Sequence, residues 1–315
     1  MKIYIPEDIA QAGKDYLVKR GYEIKLGSSL KEEIMAREVA DCQGILVRTA
    51  PITEKIMKAG KELKVISKHG VGVDNIDMKA ANQLGIQVTN GPMSNASSVA
   101  EHAVALMAAS ARHIPEMDKN VRTGNWASRN QVKLTELEGK TLGLIGLGRI
   151  GKLTAQKAVV SFGMKIKAYD NQISQDLAPK YIEMENSLEK LFSSCHVISI
   201  HCPLTKETKG LVNSYYLSLM KPGSILVNCA RGGIVDEKAL YEALVSGQIG
   251  GAALDVLEQE PPKLDHPLLR LSNVIFSPHC AAHSKESFDR MAVHAAMGID
   301  QALSQKEITW PVNFI

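Results

Sequence analysis

Gly146, Gly148 and Gly151 form a G-x-G-x-x-G turn, and Asp170 lies 19 residues beyond the last of them. A pyrophosphate-linked dinucleotide needs that arrangement. Gly146 allows a tight strand-to-helix turn, and Gly148 lets the backbone approach the pyrophosphate with no Cβ in the way. Gly151 lets helix and strand pack closely, while free N–H groups at the helix start face the anion. Asp170 offers a carboxylate to the adenosine ribose hydroxyls and repels a 2′-phosphate, which favours NAD over NADP. A bare glycine triplet says little. Here an apolar run (Thr141–Ile145) precedes it, and a helical stretch (Lys152–Phe162) and a second apolar run (Lys165–Tyr169) follow.

Three more polar residues stand where strand ends should deliver them, and in open α/β sheets ligands bind outside the carboxyl ends of the strands. Arg231 follows the apolar run Ser224–Ala230 and precedes two glycines. Glu260 lies in the stretch Asp255–Pro262, and His279 follows Asn273–Pro278. Each alone also suits a structural role: a surface arginine, an acid in a proline-rich loop, a satisfied histidine. Together they supply what reduction of a 2-oxo acid requires. Arginine offers a permanently charged fork for the carboxylate. Histidine titrates near neutrality and can protonate the carbonyl oxygen, and a neighbouring carboxylate favours its charged form.

Alternating elements must position these groups. In the N-terminal third, strands are predicted at Lys2–Ile5, Tyr22–Leu26, Gly44–Val47, Lys64–Ser67 and Ile86–Thr89. Helical patterns fall between them near Ile9–Arg20, Leu30–Val39, Thr53–Ala59 and Met78–Leu84. Such short connections imply a parallel sheet covered on both faces. The alanine-rich, glycine-free stretch Ser97–Met117 reads as one long buried helix joining two domains. Beyond the glycine turn, strands are predicted at Val197–His201, Ser224–Asn228, Gly251–Val256 and Val274–Ser277. Helices are predicted at Ser187–Ser193, Ser214–Leu219, Glu237–Ser246 and Lys285–Ser304.

Composition sets the outer bounds. A chain of 315 residues suggests two domains of ordinary size. Apolar content of 45% with 23% charged residues is globular. The net charge of +3 is small and the basic residues are scattered, which argues against nucleic acid as a partner. No apolar run has the length of a membrane span, and the start carries no signal-peptide pattern. Five cysteines without a C-x-x-C pair read as reduced thiols of a cytoplasmic protein, not as a disulfide framework or metal site.

These residues resemble the D-isomer-specific 2-hydroxyacid dehydrogenases, a family that includes D-3-phosphoglycerate dehydrogenases and glyoxylate/hydroxypyruvate reductases. The likeness covers nearly the whole chain. It rests on Lys68–Asn75, Ser98–Leu106, Leu137–Gly151, His201–Thr205, Asn228–Glu237, Asp255–Pro261 and Ser277–His279, in that order. It implies an α/β protein in which a Rossmann-type parallel-sheet cofactor domain (98–289) is inserted in a flavodoxin-like substrate domain (1–97 plus 290–315). It further implies a homodimer using NAD.

By resemblance, Arg231 anchors the substrate, His279 is the acid–base group and Glu260 its paired acid. The implied cofactor contacts, besides Gly146, Gly148, Gly151 and Asp170, are Arg149, Ile150, His201, Pro203, Cys229, Ala230, Asp255 and Ala281. Backbone at Val71 and Gly72 corresponds to a cradle for the substrate carboxylate. Arg48, Lys68 and Arg129 (the last contributed across a dimer) are candidates to meet a substrate phosphate. The stretch after His279 departs from the family pattern: it reads Cys-Ala-Ala-His283-Ser284, where glycine and threonine are more usual, and His283 is a second histidine close by. The leading substrate is 3-phosphoglycerate, with glyoxylate, hydroxypyruvate or another short 2-oxo acid behind it. A different class, the dinucleotide-sensing corepressors built on the same scaffold, retains the same polar set.

Overall fold

A computed structural model describes residues 1–314. In chain order the first elements are β1 (Lys2–Ile5), α1 (Gln11–Val18), β2 (Glu23–Leu26), α2 (Glu32–Glu38), β3 (Gly44–Val47), α3 (Glu54–Ala59), β4 (Val65–Lys68), α4 (Met78–Gln83) and β5 (Gln87–Thr89). Two helices follow, α5 (Ala96–Ala111) and α6 (Ile114–Arg122). Next come β6 (Thr141–Ile145), α7 (Arg149–Phe162), β7 (Lys165–Tyr169), β8 (Ile182–Met184), α8 (Leu188–Ser194), β9 (Val197–Ile200), α9 (Ser214–Leu219) and β10 (Ile225–Asn228). The last are α10 (Glu237–Val245), β11 (Gly251–Leu254), β12 (Val274–Phe276) and α11 (Lys285–Leu303).

The chain divides into two compact units, one of Met1–Ala96 with the chain from Ala282 onward, the other of Ser97–Ala281. The first holds a five-stranded sheet, order β2-β1-β3-β4-β5, with every pairing parallel. That is the flavodoxin-like order. Alternation along its strands splits the core by face. Tyr4, Ile45, Val47 and Ile66 pack with Met35, Ile52 and Ile56, while Ile3, Ile5, Leu46 and Val65 pack with Ala292, Ala295, Ala296 and Ile299.

The second face is closed by α11, so the chain returns to the first unit at 282, ahead of the 290 read from the sequence. Helix α11 is a single 19-residue element capped by Ser284, whose hydroxyl accepts from Ser287 N. Its small residues let α1 approach closely. A Cβ on Gly13 would stand 2.7 Å from Ala292 Cβ and 2.8 Å from its backbone.

The second unit holds a seven-stranded, all-parallel sheet, order β12-β11-β10-β9-β6-β7-β8. Strand order reverses between β6 and β9, which makes that edge the switch point of a doubly wound fold. Strands β9, β10 and β11 are buried along their whole length, as a sheet covered on both faces requires. The short β8 carried too little apolar pattern to be read from sequence.

Ser97–Met117 is not one helix. Helix α5 ends at Ala111, His113 takes a left-handed φ of 49°, and α6 restarts at Ile114 with Pro115 in its first turn. Proline has no N–H to continue a helical ladder, so it starts the second helix and cannot extend the first. Among the described residues no helix is long and apolar enough to cross a membrane.

Replacing a glycine in an exposed helix by alanine ordinarily stabilises by up to about 1 kcal/mol. At Gly13 the added methyl meets backbone, so the sign reverses. Gly13→Ala should destabilise by about 1–3 kcal/mol. Denaturant unfolding, with an unchanged m-value, measures it.

Candidate active site

The second sheet carries the sequence-predicted groups on one edge. At their carboxyl ends β6 runs into Gly146, β7 into Asp170, β9 into His201, β10 into Cys229–Arg231, β11 into Asp255 and β12 into Ser277–His279. All pairings are parallel, so these ends share a side of the sheet.

The glycine turn has three different reasons for its three glycines. Gly146 sits at φ 94°, and a Cβ there would stand 2.8 Å from Cys202 N. A Cβ on Gly151 would lie 2.4 Å from Gly146 O, so only glycine lets α7 press on the end of β6. Nothing lies within 4 Å of a Cβ on Gly148. Gly148 immediately precedes α7, and no side chain caps that helix. Its first N–H groups therefore have no helical acceptor. Asp170 accepts from Leu147 N (2.8 Å) and from Gln172 N (2.8 Å), so turn and acid form one hydrogen-bonded unit. The open backbone at Gly148, the uncapped helix start and the tethered acid fit a pyrophosphate with its ribose.

Other predicted contacts line the same edge. His201 bonds through Nε2 to Ser199 Oγ (2.9 Å), and burial pushes its pKa down to about 4, keeping it neutral. Pro203 is exposed, Ala230 and Ile150 are half-buried, Arg149 is exposed, and Cys229 and Ala281 are buried.

Asp255 is only 2% exposed, yet its carboxylate is heavily engaged. It accepts from Ser277 Oγ (2.6 Å), Cys280 N (2.9 Å) and Ala281 N (3.0 Å), with His102 Nε2 3.5 Å away. Burial alone would raise its pKa; these donors more than offset that and hold it below the usual carboxylate range. The Asp255 backbone carbonyl also accepts from His279 N (2.8 Å), and His279 takes a left-handed φ of 49°. The turn carrying His279 is thus wrapped around one buried acid.

His279 Nδ1 lies 2.7 Å from Glu260 Oε2. That hydrogen bond raises the imidazole pKa above its ordinary value, against the opposing effects of burial and of the Arg231 charge. Burial pushes Glu260 up, but the His279 partner and the Leu257 N–H together pull it further down, leaving it below the usual range. With Nδ1 engaged, Nε2 is the nitrogen available for proton exchange. Glu260 Oε1 accepts from Leu257 N (3.0 Å), so the acid is tied at both oxygens. Arg231 is half-buried, and Nη1 donates to Ala230 O (2.8 Å); Asn228 Nδ2 donates to Arg231 O (2.9 Å) and fixes its backbone.

In the first unit, Arg48 follows β3 and Lys68 ends β4. Arg48 Nη1 donates to Asp8 O (3.1 Å), and its guanidinium lies 5.1 Å from the centre of the Phe288 ring. Lys68 Nζ donates to Arg48 O and to Asn75 Oδ1 (2.6 Å for the latter). Asn90 Nδ2 donates to Val71 O (2.8 Å), steadying the Val71–Gly72 loop. His283 belongs to this unit and packs edge-on against Phe288. Arg129 lies in the second unit, exposed on a short 3-10 turn, Trp126–Asn130.

Residues 104–281 match the profile of the D-isomer specific 2-hydroxyacid dehydrogenase NAD binding domain. The chain belongs to the D-isomer-specific 2-hydroxyacid dehydrogenase family. It is 44% identical over 288 residues to a D-3-phosphoglycerate dehydrogenase of Archaeoglobus fulgidus, covering 91% of this chain and 54% of that one. It is 44% identical over 304 residues to one of Synechocystis, covering 96% and 54%. The chain thus spans about half the length of the curated relatives it matches. Among solved structures, a Thermus thermophilus protein superposes with a TM-score of 0.92 at 34% identity, covering 99% of this chain and 100% of that one.

Sequence reading missed two groups at this family member's sheet edge. His102 from α5 reaches Ser277 Oγ (2.8 Å), and Glu237 meets both His266 and the backbone before Glu260. His102 lies within Ser98–Leu106 and Glu237 ends Asn228–Glu237, stretches that carry the family resemblance, but no local spacing shows their partners, which lie far along the chain.

The glycines separate binding from folding. Gly148→Ala should fold with unchanged thermal stability and bind NADH at least about tenfold more weakly, a loss of about 1.4 kcal/mol. Gly151→Ala should instead lower the melting temperature. NADH fluorescence titration beside thermal melts distinguishes the two.

Proposed function

We propose that this chain is an NAD-dependent D-2-hydroxyacid dehydrogenase interconverting a 2-hydroxy acid and its 2-oxo acid. The observation that carries the reading is the 2.7 Å His279–Glu260 pair, placed with Arg231 and the glycine turn along the carboxyl edge of one sheet. The substrate pair we favour is 3-phosphoglycerate and 3-phosphohydroxypyruvate, at the entry to serine biosynthesis. Support comes from the named relatives and from cations at Arg48 and Lys68. Arg129 is a third candidate for the phosphate. Glyoxylate and hydroxypyruvate are the alternatives.

When bound, NAD(H) would supply the hydride chemistry at C2. The backbone of Gly146–Gly151 with Asp170 would hold it, beside His201, Pro203, Cys229, Ala230, Asp255 and Ala281. The chain's own residues handle the rest. Arg231 is the second unit's candidate to pin the substrate carboxylate, and the backbone of Val71 and Gly72 is the candidate cradle that the family resemblance gives in the first unit. In reduction, protonated His279 gives its Nε2 proton to the developing C2 alkoxide. In oxidation, neutral His279 takes the C2 hydroxyl proton. Glu260 fixes the Nδ1–H tautomer and stabilises the charged ring in both directions.

We also propose a homodimer. Ile114, Val121 and Leu134 are exposed, and Trp126 is 65% exposed, an apolar run on α6 and the segment after it. Light scattering should give twice the chain mass.

His279→Ala should lose about 10²–10⁴-fold in turnover with NADH affinity retained. NADH oxidation at 340 nm with a panel of 2-oxo acids, 3-phosphohydroxypyruvate included, sets the substrate; NADH binding with no turnover of any of them would favour the dinucleotide-sensing class.

Glu260 raises the His279 pKa, so wild-type reduction should fall as pH rises through that elevated value. In Glu260→Gln the fall should move to lower pH. Rate profiles over about pH 5–10 test the sign.

A further inference from the structure

We propose that Glu237 is a positioning residue for the His279–Glu260 pair. The inference rests on the proposed acid–base role of His279.

Glu260 sits in a loop, 257–266, that has little core of its own. Residues 258–261 and 263–265 are exposed, and Leu264 is almost fully so. Loops with few buried apolar contacts open at low cost unless something else holds them. What holds this one is the carboxylate of Glu237. Its Oε1 accepts from Glu258 N (2.6 Å), two residues before Glu260, and its Oε2 lies 2.9 Å from His266 Nε2 at the far end of the loop. One carboxylate thus fastens both ends of the segment that presents Glu260.

Three features separate this from an incidental surface contact. The Glu237 and His266 side chains are only 12% and 20% exposed, and a carboxylate so enclosed must have its partners satisfied. Glu237 is also not employed as a helix cap: Asp236 fills that role for α10, accepting from Lys238 N and Ala239 N (3.0 Å each). Finally, α10 begins just after the loop of Arg231, and that loop is pressed on the same segment. A Cβ on Gly232 would fall 2.0 Å from the Leu257 carbonyl carbon. The fastening therefore sets Glu260 relative to the stretch that carries Arg231.

The consequence is indirect. Without the fastening, the loop carries Glu260 away from His279 Nδ1, and the imidazole loses the hydrogen bond that raises its pKa and selects its tautomer. Dinucleotide binding at the glycine turn is untouched.

The test compares wild type, Glu237→Gln, Glu237→Ala and the Glu237→Ala/Glu260→Ala double variant. NMR titration of the labelled His279 ring is read beside NADH oxidation with 3-phosphohydroxypyruvate and NADH binding. Glu237→Ala should lower the His279 pKa and cut turnover at least about tenfold, with NADH affinity within about twofold of wild type. Glu237→Gln keeps an acceptor for Glu258 N and a polar partner for His266, and should restore most of both readouts. In the Glu260→Ala background, removing Glu237 should change neither further. A wild-type titration curve and rate in Glu237→Ala overturns the proposal, as does an undiminished effect in the double variant. Should Glu237→Ala fail to fold, His266→Ala releases one end of the loop and must shift the same titration. Wild-type turnover in His279→Ala would instead sink the function on which the proposal rests, a result that leaves its own signature.

Discussion

The buried carboxylate of Asp255 is the constraint on which the site's geometry depends. Taking an unpaired carboxylate out of water costs several kcal/mol, so it must be surrounded by donors. The nearest suppliers are the N–H groups of Cys280 and Ala281 and the hydroxyl of Ser277. Gathering them forces the chain after β12 into a tight turn, and His279 falls at the position that must adopt a left-handed φ. That conformation costs an L-residue about 1–2 kcal/mol. Hydrogen bonds to a charged group, at about 1.5–3 kcal/mol each, offset it. The position of the imidazole is therefore determined by a residue that does not touch it through its side chain.

Around that turn, the second sheet works by delivering strand ends. Parallel strands place all their carboxyl ends on one side, and six of the seven bring a residue of interest there. Two close approaches keep the loops in register: Gly151 against the end of β6, and Gly232 against Leu257. In both places a methyl group would collide with backbone, which cannot rotate away. Gly148 shows the opposite condition, an open position whose value lies in what is absent. One sequence motif thus mixes glycines needed for packing with a glycine needed for access.

Much of this was legible locally. Glycine spacing fixes a strand–turn–helix because few residues tolerate a φ of 94° or backbone contact at 2.4 Å. Alternation and apolar runs locate eleven of the twelve strands among the described residues, since burial is written directly in side-chain type. The exceptions are instructive. Ser97–Met117 reads as continuous because it is alanine-rich and lacks glycine, but the structure breaks it at His113, and Pro115 starts the next helix. Strand β8 has three residues and draws its partner from β7, so its own pattern is too short to read.

From the sequence alone come two parallel α/β sheets and the dinucleotide turn, with Arg231, Glu260 and His279 as candidates for the chemistry, because each follows from residue type, local spacing or family pattern. Only the tertiary structure decided how those groups are held. The link from His102 to Ser277 spans 175 residues, and the hold of Glu237 on its loop spans 21 and 29. No local pattern encodes such contacts, because they form only once buried polar groups must find partners inside a folded core.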